Sequence, residues 1–101
     1  MEDRGQYHRT IAVYCKDFIS SVKAIESFGE NNYIFEEIVN NVLNTNEDSV
    51  QEIIKFKDLM SNYELELSSM CDIQKDNDFL LAMWQRAKSI SKICTDEISR
   101  Y

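Results

Sequence analysis

"NEDSVQEIIKFKDLMSNYELELSSMCDIQ", residues 46–74, carries the longest regular apolar seam in the chain. Ile53, Phe56, Met60, Tyr63, Leu67 and Met70 are spaced 3, 4, 3, 4 and 3. Alternating steps of three and four put side chains on one face of a helix with 3.6 residues per turn. A strand needs strict alternation, which the stretch offers only over Tyr63, Leu65 and Leu67. The period is helical on both sides of those residues, so the spacing predicts a helix over about 50–74.

The same pattern extends in both directions. Ile11, Cys15, Phe18, Val22 and Ile25 form a seam that predicts a helix from about Gln6 to Phe28. Tyr14 and Phe28 widen it, and Gly29 stands where a left-handed residue would end the helix. Phe35, Ile38, Val39, Val42 and Leu43 share a face over about 31–44, with Ile34 beside it. After "DIQKDNDF", in which Asp76, Asn77 and Asp78 compete to cap a helix, Leu80, Met83, Ala87, Ile90, Cys94 and Ile98 form a stripe over about 78–99.

Composition supports the same class. The chain has no proline and only two glycines, and hairpin-rich β folds lean on both residues. An apolar fraction of 44% with 11% aromatics is that of a chain that folds. The expectation is one all-α domain over residues 1–101, with residues 1–5 frayed. Its form is a small antiparallel bundle of four helices, the second one short, or a three-long-helix, coiled-coil-like subunit whose seam is completed by another chain.

Three isolated cysteines, Cys15, Cys71 and Cys94, do not suggest a disulfide framework. Cys15 and Cys94 lie on seams and read as small buried hydrophobes. "MEDRGQYHRT" has no apolar signal core, and no run reaches the roughly 18 residues of a membrane span. The expected setting is intracellular, cytoplasmic or nuclear, without membrane contact.

The net charge of −7 is concentrated. No basic residue lies between Lys23 and Lys55, a stretch that holds Glu26, Glu30, Glu36, Glu37, Glu47, Asp48 and Glu52. Such a surface repels phosphates, so direct nucleic-acid binding is not expected. A solvated face is the ordinary explanation; an acidic docking surface is the functional one.

The chemistry-bearing residues are sparse. One histidine, His8, cannot build a di-iron bundle, and the cysteines lack zinc-ligand spacing. Adjacent Glu36 and Glu37 point about 100° apart on a helix and cannot face one another as an acid–base pair. Two lone glycines build no phosphate loop. No metal, cofactor or catalytic group is expected, and the chain reads as a non-enzyme.

Ser49 is the remaining candidate. "DSV" before an apolar helix resembles the Asp-Ser-Leu of acyl carrier proteins, which implies a phosphopantetheine attachment site at Ser49. The glycine that the family places before Asp-Ser is Glu47 here, and Ser49 would open the third helix rather than the second. Ser49 with Glu52 is also S-x-x-E, a capping box, and that reading needs less.

The sequence therefore points to a non-catalytic helical interaction subunit or adaptor, with helix–helix contacts for affinity and the acidic second helix for partner choice. Its partner would be another protein, helical or basic, or a second copy of itself. The partner-binding candidates are Glu36, Glu37, Glu47 and Asp48 for charge, and Tyr33, Ile34, Phe79 and Trp84 as anchors, with Ile54 and Leu65 as further apolar surplus. A small acidic inhibitor that covers a basic site on a toxin, nuclease or host factor is the alternative. An acyl-carrier-like role for Ser49 is the remote one.

Overall fold

The computed structural model describes residues 4–101. Four helices follow in order: α1 (Arg4–Val22), α2 (Gly29–Leu43), α3 (Val50–Ile73) and α4 (Asp78–Ile98). A 3₁₀ turn, Glu26–Phe28, precedes α2. No strand occurs among the described residues, and none of their helices is long and apolar enough to cross a membrane.

The seams close within the one chain. Ile11, Cys15, Phe18 and Val22 of α1 are buried with Phe35, Val39 and Val42 of α2, with Ile53, Phe56, Met60, Tyr63 and Leu67 of α3, and with Leu80, Met83, Ala87, Ile90 and Cys94 of α4. This is the four-helix form rather than a coiled-coil-like subunit. Tyr63 sits at the centre, its ring 5.2 Å from Phe18, 4.9 Å from Phe28 and 5.9 Å from Phe35. Its hydroxyl donates to the Oδ1 of buried Asn32 at 2.5 Å. Burial away from water pushes the Tyr63 phenol far above its ordinary range.

These contacts also set direction. Phe18 and Phe28, near the end of α1 and the start of α2, meet Tyr63, while Phe35 stacks on Phe56 lower down at 5.4 Å. Helix α2 thus runs down as α1 and α3 run up, and α4 returns beside them. The longest helices, α3 and α4, pair most extensively. Helix α3 spans about 36 Å at 1.5 Å per residue, and the molecule measures 46 × 24 × 17 Å. Residues 64–73 of α3 lie beyond Tyr63, so the α3–α4 hairpin projects past the ends of α1 and α2.

Several local expectations change. The first helix stops at Val22, not Phe28, because Phe28 must turn inward to reach Tyr63. Gly29 is no left-handed terminator: at φ −51° and ψ −48° it is the first residue of α2. Tyr14 faces outward. Ser49 precedes α3 as expected, but its side chain makes no capping bond. Asp48 Oδ1 instead accepts the Val50 N–H at 2.9 Å. At α4 the competition among Asp76, Asn77 and Asp78 goes to Asn77, whose Oδ1 accepts the Leu80 N–H at 3.1 Å. The expected fraying of residues 1–5 meets helix at Arg4 and Gly5; residues 1–3 lie outside the described residues.

Candidate functional site

Two heptad-like registers each carry a polar residue where an apolar one belongs. In α1, His8 stands three positions before Ile11, on the seam that continues to Cys15, Phe18 and Val22. In α4, Glu97 stands three positions after Cys94, on the stripe from Ile90. Both are fully buried. An isolated charge would be too costly there, so its partners must come with it.

Those partners converge at the base of the bundle. His8 Nε2 lies 2.6 Å from Glu97 Oε2. Arg4 lays its guanidinium across the same carboxylate, with Nε 3.0 Å from Oε2 and Nη2 on Oε1, a two-pronged geometry that suits a carboxylate. Arg100 Nε adds a contact at 3.5 Å. On the other side of the imidazole, Nδ1 accepts the backbone N–H of Ser49 at 2.9 Å. An acceptor at Nδ1 places the neutral ring's proton on Nε2, where it donates to Glu97. Burial holds the His8 pKa below the ordinary imidazole value, helped by Arg4 and opposed by Asp48 and Glu52.

The cluster is covered from outside. Tyr101 donates from its hydroxyl to Asp48 Oδ2 at 2.6 Å and lies 3.4 Å from His8 Nε2. That bond, reinforced by the Val50 amide, holds the Asp48 carboxyl below its usual range. The Tyr101 phenol is pushed up, by desolvation first and then by Asp48. Arg9 of α1 donates to the Thr45 carbonyl at 2.9 Å, and Gly5 packs directly under the backbone of Asn46 and Glu47. The first helix, the last helix and the α2–α3 connection are thereby tied at one point.

Ser49, His8 and Glu97 are the residue types of a hydrolytic triad, but the arrangement does not work as one. A nucleophilic serine must offer its hydroxyl to the imidazole. Here the ring nitrogen facing Ser49 is occupied by the serine's own backbone amide, and Oγ leans to the Glu47 carbonyl at 3.4 Å. Ser49 is only 4% exposed, so a transferase carrying phosphopantetheine would find almost none of its surface. Among the described residues no group of three or more His, Cys, Asp or Glu side chains gathers to hold a metal. Cys15 and Cys94 are buried free thiols; burial raises both, Cys94 to about 12, far from a reactive thiolate.

The residues read from sequence as partner-binding fall on two surfaces. Tyr33, Ile34 and Glu37 face outward on α2, with Tyr33 74% exposed. Glu36, on the neighbouring face, is held by Lys23 Nζ at 2.6 Å. Glu47 is exposed on the connection, while Asp48 is engaged by Tyr101 and Val50. The second surface is on the hairpin. Trp84 and Leu65 line one open depression of about 210 Å³ with Ser61, Glu64 and Ser68. Leu65 is 70% exposed, and Lys88 Nζ lies 4.6 Å from the Trp84 ring centroid. Phe79 is exposed near the tip of the hairpin, and Ile54 is half-buried lower on α3.

The Arg4–His8–Glu97 constellation is not legible in the sequence because Glu97 lies 93 and 89 positions from Arg4 and His8 in the chain. The available signal was the register: a histidine and a glutamate on core positions of α1 and α4. No protein-family model, no curated protein and no solved structure matches this chain.

Proposed function

We propose that the chain is a non-catalytic helical interaction protein, a small subunit or adaptor. It buries the outer face of its α3–α4 hairpin against a helix of another protein, and the outward acidic face of α2 sets which partner is accepted. The observation that carries this reading is the pairing of Leu65 with Trp84 in one open depression. One exposed leucine is ordinary on a protein surface. A leucine beside the only tryptophan, rimmed by Glu64 and Lys88, has the build of an interface anchor inside a charged rim.

The acidic-inhibitor reading has less support. Of its four named carboxylates, Glu36 is paired with Lys23 and Asp48 serves the base of the bundle, which leaves Glu37 and Glu47 with exposed Glu30. The test begins with absolute mass by light scattering on a sizing column, at two concentrations and with reductant. A dimer that survives dilution and reverts to about 12 kDa in Leu65→Ser/Trp84→Ala supports a hairpin interface between copies. A monomer directs the same pair of variants to affinity measurements with a partner identified by cross-linking. Partner affinity unchanged by both substitutions, yet abolished by Glu37→Lys and Glu47→Lys, would replace this reading with the acidic-inhibitor one.

A further inference from the structure

His8 is buried, titratable and bonded at both ring nitrogens, and the two bonds respond oppositely to a proton. The Nε2–H donates to Glu97 in either protonation state. Nδ1 is an acceptor for the Ser49 N–H at 2.9 Å, and an acceptor that gains a proton becomes a second donor facing a donor. The carboxylate that faces Nδ1 and can receive the new N–H is that of Asp48, with Oδ1 3.6 Å away. That oxygen already accepts the Val50 amide at the start of α3, and the other oxygen of the same carboxylate holds Tyr101.

We propose that His8 is an acid-sensitive catch: protonation at Nδ1 ends its hold on the Ser49 amide, draws Asp48 from the start of α3, and frees the α2–α3 connection and Tyr101 from the base of the bundle. The groups facing the imidazole are distributed so that the effect stays local. Arg4 on α1 and Arg100 just past α4 neutralise Glu97, while Asp48 on the connection and Glu52 on α3 are the carboxylates that attract the new charge. Residues 44–49 carry no helix, and their contacts with α1 include Arg9, Gly5 and His8; Tyr101 is bonded by Arg4 as well as by Asp48. The core above, built around Tyr63, contains no histidine and no carboxylate. This catch operates whether or not the hairpin is an interface.

The test is amide hydrogen exchange by NMR on the full chain between pH 7.5 and 5, corrected for intrinsic rates, with the imidazole ¹⁵N shifts read in parallel. The expected result is an unprotonated Nδ1 at pH 7.5. As His8 titrates, the protection of Ser49 falls, by up to tenfold per pH unit for one coupled proton, and stays below that of Met60 in the middle of α3 at every pH. Constant protection at Ser49 through the His8 titration overturns the proposal. So does protection at Ser49 equal to that at Met60, which would mean that the connection opens only with global unfolding. His8→Asn supplies a second arm, since its amide oxygen can accept the Ser49 N–H and does not titrate. Ser49 protection in that variant should be flat across the range; an acid loss like that of the wild type would assign the effect to another group.

Discussion

At the scale of single residues, Asp48 and Ser49 exchange the roles the sequence suggests. The S-x-x-E pattern marks the start of α3 correctly, because the helix does begin at Val50. It assigns the wrong side chain, because His8 claims the Ser49 amide and leaves Asp48 to cap. No local pattern reveals a bond to a residue 41 positions away. Ser49→Ala should therefore change stability by less than about 0.5 kcal/mol, whereas Asp48→Ala should cost about 1 kcal/mol, the ordinary loss of a cap. Urea denaturation of the two variants separates them, and a larger loss in Ser49→Ala would return the capping role to the serine. Asn32 and Tyr63 make a sharper case. Removing the hydroxyl in Tyr63→Phe leaves the buried Asn32 carbonyl without its 2.5 Å donor while preserving ring packing. The expected cost is about 1–3 kcal/mol, read from the denaturation midpoint at unchanged slope. Replacing Asn32 by Leu in the same background should recover part of it, because an unpaired polar group, not a lost contact, is the cause.

Elements were legible where apolar period decides and illegible where a distant contact decides. Helices α3 and α4 end within a residue of their expected bounds because their seams run uninterrupted between polar connections. Helix α1 stops six residues early, and Gly29 proves ordinary, because Phe28 is drawn to Tyr63 from across the bundle. Gly5 is the glycine whose small size matters. A Cβ there would come within 2.9 Å of the Glu47 carbonyl oxygen and 3.0 Å of that of Asn46, both backbone atoms. In a helix, alanine gains up to about 1 kcal/mol over glycine from propensity. Overpacking against backbone costs about 1–3 kcal/mol, so the cost wins and Gly5→Ala is destabilising. Its thermal midpoint should drop by a few degrees. Gly29, with open space around the same position, is the control: Gly29→Ala should leave the midpoint unchanged or raise it.

At the scale of the whole molecule, stability is distributed unevenly along the hairpin and its dependence on acid follows from one group. Past Leu67, the last buried residue of α3, Met70 and Cys71 are only half-buried, and Ile73 is 83% exposed. Few buried contacts mean local opening at low cost, so amides of residues 68–73 should exchange well before those of Phe56 to Tyr63. Equal protection along α3 would mean that the projecting end is covered by a second chain. Acid acts at the other end. The fold lowers the His8 pKa, so between the folded value and about 6.5 the unfolded chain binds more protons, and stability rises with pH. The window opens as pH falls below about 6.5 and closes once both states are protonated. Asp48 contributes in the same sense further down, because a depressed carboxyl stabilises above its ordinary value near 4 and loses that contribution as pH falls through the folded one. Urea midpoints measured every half unit from pH 8 to 5 should be level above 7 and then decline by no more than about 1.4 kcal/mol per unit. His8→Asn should abolish the decline over this range. A stability that instead grows as pH falls from 7 to 5 would mean that the Glu97 carboxylate dominates burial, and that the imidazole in the folded protein is already charged at neutrality.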